Sequence, residues 1–145
     1  MEGGYTIYHD LYIQASLSEV FDAISLPAHI NNWWTQKCTG EPELGASYNL
    51  YFAPEYNWFG EVSSCVPNRS FHIKMTQADP DWEPTTFGFD LEEMDDDKVR
   101  LKFSHENWPA CNGHFRHSSY CWAILLNYLK NYLERGVVVP FAERE

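Results

Sequence analysis

Apolar and polar positions alternate along most of the chain, and the period of that alternation changes as the chain proceeds. Ile7, His9, Leu11 and Ile13 fall on one side of Tyr8, Asp10, Tyr12 and Gln14. A period of two predicts a first strand. Ser16-Leu17-Ser18-Glu19 then has capping-box spacing, with Ser16 as N-cap and Glu19 reaching back. Val20, Phe21, Ala23 and Ile24 follow as the apolar positions of a short helix. Pro27 suits the first turn of a second short helix, which carries Ile30 and ends near Trp33-Trp34.

Beyond Gly40 the period of two returns. Tyr48, Leu50 and Phe52 share one face, then Tyr56, Trp58, Gly60 and Val62, with a turn at Pro54-Glu55 between them. Pro67-Asn68 turns the chain into a strand in which Phe71, Ile73 and Met75 face one way, His72 and Lys74 the other. Asp79 to Pro84 is a loop, because its two prolines forbid continued pairing. Phe87, Phe89 and Leu91 alternate next. Asp95-Asp96-Asp97 forms a hairpin turn, and Val99, Leu101, Phe103 and His105 face inward on the last strand. Hairpin-length connections imply antiparallel pairing.

The last third is one long helix, from about Phe115 to Glu134, stopped at Gly136. Cys121, Trp122, Ile124, Leu125, Leu126, Tyr128, Leu129, Tyr132 and Leu133 fill more than half of its circumference at 100° per residue. Asn127, Lys130, Asn131 and Glu134 crowd the rest. So wide an apolar arc predicts a helix gripped by a curved sheet. The fold class is α+β: a curved antiparallel sheet of about six or seven strands around a long C-terminal helix, with two short helices after the first strand. A chain of 145 residues reads as a single domain over 1–145.

Charge and cysteine content narrow the picture. A formal net charge of −11 with no basic stripe argues against nucleic acid and against an anionic membrane surface. No apolar run is long enough to span a membrane. The N-terminal Met-Glu-Gly-Gly-Tyr has no leader pattern. A cytoplasmic protein with reduced Cys38, Cys65, Cys111 and Cys121 is the expectation.

These segments resemble the SRPBCC superfamily, the START or helix-grip fold, and within it the family named after the activator of the heat-shock-protein-ninety ATPase. The resemblance rests on Ser18-Glu19-Val20-Phe21-Asp22-Ala23-Ile24 after an alternating strand, the pair Trp33-Trp34, and Gly45 at the next strand. It continues with Gly60-Glu61-Val62, with Pro67-Asn68-Arg69-Ser70-Phe71, and with a strand ending in His105. The helix adds Trp122, a Leu-x-x-Tyr-Leu pattern and Glu134-Arg135-Gly136. Cys121 stands where the family usually has glycine. The resemblance implies a cavity between sheet and helix.

The inward positions Tyr48, Leu50, Phe52, Trp58, Phe71, Ile73, Phe87, Phe89, Leu101 and Phe103 would line that cavity with Trp122 and Leu126 of the helix. Trp34 would stand near its mouth and His105 at its rim. Aromatic residues make up 17% of the chain, and large flat rings suit such a lining.

The reading for function is a binder of a small hydrophobic or amphipathic molecule, with no cofactor. One alternative is a cavity enzyme of the cyclase or dehydratase kind using His105 as a general base, with Tyr48 or His117 as the second polar group. Another is a co-regulator of a chaperone ATPase, as the family name suggests, although the separate N-terminal chaperone-binding domain of the eukaryotic activators has no counterpart in the sequence. Cys111, His114, His117 and Cys121 are zinc-ligand types that would share one helix face only if the helix began before Cys111, and Asn112-Gly113 argues for a later start. Asp95 to Asp97 lack the spacing of a calcium loop. The apolar stretch Val137 to Phe141 would either cap the cavity or favour a homodimer.

Overall fold

The computed structural model describes residues 4–144; Met1–Gly3, part of the N-terminal stretch that carries no leader pattern in the sequence reading, and Glu145 lie outside the described residues. The elements run β1 (Tyr5–Gln14), α1 (Leu17–Ser25), α2 (Pro27–Ile30), β2 (Lys37–Thr39), β3 (Ser47–Ala53) and β4 (Tyr56–Val66). They continue with β5 (Ser70–Gln77), β6 (Thr86–Met94), β7 (Lys98–Trp108) and α3 (Gly113–Arg135), and end with a 3₁₀ turn at Phe141–Glu143. The strands form one antiparallel sheet in the order β1-β7-β6-β5-β4-β3-β2. This is the expected α+β helix-grip arrangement. Strand β2 was not apparent in the sequence: its three residues are too few for an alternation to register.

Local chemistry sets the early elements. Ser16 Oγ accepts from the Glu19 N–H at 3.2 Å, and Glu19 Oε1 accepts from the Ser16 N–H at 3.0 Å, so the capping box forms in full. Helix α1 buries Val20, Phe21, Ala23 and Ile24 against β5 and β6. After α2, the Trp33 indole N–H donates to Ala23 O at 2.9 Å, which locks the two short helices together and carries Trp34 to the sheet.

Helix α3 starts two residues before the expected Phe115 because Asn112 caps it, its Oδ1 accepting from the Phe115 N–H at 3.0 Å. It stops at Gly136, whose φ of 68° is the left-handed conformation that glycine adopts without a Cβ penalty. Its buried positions are Ser118, Trp122, Leu125, Leu126 and Leu129, a single stripe at helical spacing. Cys121, Ile124, Tyr128, Tyr132 and Leu133 are only partly covered. The apolar arc thus divides into a stripe on the sheet and two shoulders. One shoulder meets the short helices, where the Tyr132 hydroxyl bonds His29 Nδ1 at 2.6 Å and accepts from Asn32 Nδ2 at 3.1 Å. The other side is tied to β1, where Lys130 Nζ donates to Tyr12 O.

At the far end of the sheet, Asp96 and Asp97 take positive φ in the β6–β7 turn, and Gln14 Nε2 donates to both of their carbonyls. The carboxylates of Asp95 to Asp97 stand in an exposed turn.

Candidate functional site

An open cleft of about 390 Å³ lies between the N-terminal half of α3, the β3–β4 hairpin and the loop before β6. Its apolar wall is aromatic. Trp34 comes from the turn after α2, Phe52 from β3, Tyr56 and Trp58 from β4, Trp82 from the loop, and Trp122 from α3. Five of these rings close a circuit in which each touches the next. Trp34 and Phe52 have centroids 5.5 Å apart, Phe52 and Trp58 5.4 Å, and Trp58 and Trp82 4.8 Å. Trp82 and Trp122 stack at 6.1 Å, and Trp122 meets Trp34 at 4.9 Å. The polar wall is α3 itself. His114, His117, Ser118 and Cys121 project into the cleft beside Trp122 and Leu125, at the three- and four-residue spacing of one helix face.

Of the residues expected to line a cavity, Trp34, Phe52, Trp58 and Trp122 face the cleft. Tyr48, Leu50, Phe71, Ile73, Phe87, Phe89, Leu101, Phe103 and Leu126 pack into the core instead, each almost wholly buried. The physical reason is that α1 packs on β5 and β6 while α3 packs on β1 and α1, which covers these positions. The cleft opens where the β3–β4 hairpin faces the N-terminal half of α3. Tyr48 also turns its hydroxyl away, donating to Ser25 O at 2.5 Å.

Two of the rings that make the cleft are held by His105. The residue is fully buried. The Trp122 indole N–H can only donate, so at 3.0 Å it requires an unprotonated His105 Nδ1. The ring proton therefore sits on Nε2 and donates to Thr85 Oγ1 at 2.9 Å. The Thr85 hydroxyl passes its own proton to Trp82 O at 2.6 Å. This chain joins α3, β7 and the loop before β6, and it ends on the backbone of the residue whose ring stacks on Trp122. Burial holds the His105 pKa far below its ordinary value, at about 3, and nearby His114 adds to the depression. With both ring nitrogens engaged and the ring neutral, His105 orients the cleft's indoles and has no lone pair turned toward the cleft.

The loop is pinned at its other end as well. His114 Nδ1 lies 3.1 Å from Asp81 Oδ2, and Asn112 Nδ2 donates to the same oxygen at 3.4 Å. His117 Nε2 lies 3.4 Å from Cys121 Sγ. Cys111 precedes the helix and is exposed. The late start of α3 therefore takes Cys111 off the common face. Among the described residues, no group of three or more His, Cys, Asp and Glu side chains is gathered so as to hold a metal ion.

Trp82, like Tyr56, is a cleft residue that was not among the expected lining positions. It lies in a loop with no periodicity, between Pro80 and Pro84, yet it is buried. The available signal was its size: an indole in a tight proline-flanked loop has a large apolar area that favours burial. Ser118 and Leu125 were missed because periodicity cannot show where the sheet stops covering the helix.

The C-terminal segment closes the neighbouring side. A second hollow of about 330 Å³ shares Trp34, Phe52 and Leu125 with the cleft and is completed by Phe141, Ala142 and Arg144. The Arg144 guanidinium anchors the segment, donating to Asn31 O at 2.9 Å, Thr35 O at 3.3 Å and Val139 O at 2.8 Å.

A curved sheet gripping a C-terminal helix beside an aromatic cleft defines an SRPBCC-type protein. More narrowly, the chain belongs to the family described as activator of Hsp90 ATPase homolog 1-like protein, which it matches over residues 14–134. Among solved structures it is similar to the Aha1 dimer from Colwellia psychrerythraea, at 26% identity over 91% of this chain and 98% of that one, with a TM-score of 0.82. A protein from Mesorhizobium loti shares the fold at 18% identity, covering 92% and 100% of the two chains with a TM-score of 0.78. CalU16 from Micromonospora echinospora shares it at 19% identity over 96% and 82%, with a TM-score of 0.73. No curated protein matches. Among the described residues, no helix is long and apolar enough to cross a membrane.

Proposed function

We propose that the protein binds a small aromatic or amphipathic molecule in the cleft between α3 and the β3–β4 hairpin. The observation that supports this is the circuit of five touching aromatic rings that forms one wall of the open cleft. An apolar wall with a few grouped polar side chains is the usual composition of a ligand site. No lysine or arginine lines the cleft, and the chain carries a net charge of −11. A neutral or cationic aromatic compound therefore suits it better than a carboxylate. The protein would work in the cytoplasm as a carrier, sensor or sequestering protein.

Titration with 1-aminoanthracene tests the reading. Quenching of tryptophan fluorescence should saturate at about one molecule per chain, with a rise in melting temperature by mass action. Trp58→Ala removes a half-buried ring of the circuit and should weaken binding at least about tenfold, the equivalent of about 1.4 kcal/mol. Absence of saturable quenching, together with no thermal shift across a set of neutral and cationic aromatics, would end the proposal.

The partner side of the same reading is a homodimer. The Colwellia relative is a dimer, and Val137 and Val138 are about half exposed just beyond α3. Sedimentation at micromolar concentration should return twice the chain mass. A monomer that persists at the highest soluble concentration would rule the dimer out.

A further inference from the structure

The polar wall of the cleft carries a thiol and an imidazole in contact. His117 and Cys121 are one turn apart on α3, both face the cleft, and Sγ lies 3.4 Å from Nε2. The other thiols are placed differently. Cys38 is buried, and burial pushes its pKa up to about 12. Cys65 donates to Pro42 O at 3.1 Å, and Cys111 is exposed and does not line the cleft.

We propose that Cys121 captures aromatic α,β-unsaturated carbonyl compounds covalently in this cleft, with His117 as the proton carrier; the inference rests on the cleft being a ligand site. A thiol becomes a nucleophile when a neighbouring base takes its proton. His117 Nε2 accepts the Sγ proton, and a sulfur lone pair forms an S–C bond to the β-carbon. The C=C π electrons move toward the α-carbon to give an enolate. The His117 imidazolium then returns the proton to the α-carbon. The adduct contains every atom of both reactants, and no oxidant, reductant or leaving group enters.

The surroundings favour this reaction over acyl transfer. Acyl transfer needs donors aimed at an oxyanion and a proton for the departing group. Cys121 sits in the middle of α3, where backbone N–H groups are committed to the helix's own bonds, so that no backbone oxyanion hole adjoins it. A soft nucleophile, one proton carrier and an aromatic wall are what conjugate addition to an aryl enone requires. Trp122 and Trp82 stack beside the thiol's helix and would hold the aryl group, raising its local concentration at sulfur.

Treatment with benzylideneacetone or with methyl vinyl ketone at neutral pH, followed by peptide mapping, tests the proposal. Benzylideneacetone should modify Cys121 at least about tenfold faster than Cys111, and His117→Gln should slow that reaction about tenfold. Cys121→Ser should abolish the fast adduct and Cys111→Ser should leave it. Melting curves check that each variant folds. Modification of Cys121 no faster than Cys111, or a rate indifferent to His117→Gln, overturns the inference. Reversible tryptophan quenching by benzylideneacetone without a fast adduct overturns it while leaving the cleft as a binding site. An equal preference for Cys121 with both reagents overturns the role of the cleft and leaves only a reactive thiol–imidazole pair.

Discussion

At the scale of single residues, His105 shows how burial decides chemistry. An imidazole at the end of an inward strand register invites a role as a base. Here it is enclosed by Trp82, Trp108 and Trp122, with centroids 4.5, 4.9 and 6.0 Å away, and both nitrogens are hydrogen-bonded. Its folded-state pKa of about 3 lies below the ordinary 6.5. Between those values the unfolded chain holds a proton at this site and the folded chain does not. Stability from this residue is therefore fully present above about pH 6.5 and declines as pH falls toward 3, by up to about 1.4 kcal/mol per pH unit. Urea unfolding at successive pH values should show the decline, and the His105 ring resonances should remain those of a neutral imidazole at pH 5. A His105 titration at its ordinary value would contradict this.

At the scale of elements, the cleft exists because a loop, a strand and a helix are held in register by one polar chain. Trp122 Nε1, His105, Thr85 and Trp82 O link α3, β7 and the segment before β6. Thr85→Val keeps the shape but removes the hydroxyl, leaving the His105 Nε2–H unsatisfied in a buried site, while the Trp82 carbonyl keeps the Thr85 backbone N–H. The loss should be about 1–3 kcal/mol in chemical denaturation, and Thr85→Ser should recover most of it. An unchanged midpoint in Thr85→Val would show that the chain contributes nothing. Helix α3 teaches a related lesson. Its apolar arc was legible from the wheel, but the arc did not distinguish the stripe on the sheet from the face turned to the cleft. His114, His117, Ser118 and Cys121 look like an ordinary mixed face until the sheet edge is known.

At the scale of the molecule, charge matters more than individual ion pairs. Acidic residues number 21 against 10 basic, while pairs such as Arg100 with Asp10 at 2.8 Å and Lys102 with Glu92 at 3.6 Å lie on the exposed side of the sheet. Such pairs contribute little, and the net repulsion opposes compaction. Raising NaCl to about 0.3 M should therefore raise the melting temperature by a few degrees. A fall in melting temperature would mean that attractive pairs outweigh the repulsion.

By itself the sequence determined the element types, the capping box at Ser16, the α3 stop at Gly136 and the antiparallel sheet. These depend on periodicity and on residues acting within a few positions of themselves. Only the tertiary structure decided that Leu50, Phe71 and Leu101 are core while Phe52 and Trp58 face open space, since all five read alike in a period of two. It also decided that Trp82 belongs to the site and that His117 and Cys121 meet within it. Position along a strand says which face a side chain takes. What covers that face is set by segments distant in sequence, and a cleft is the place where that cover stops.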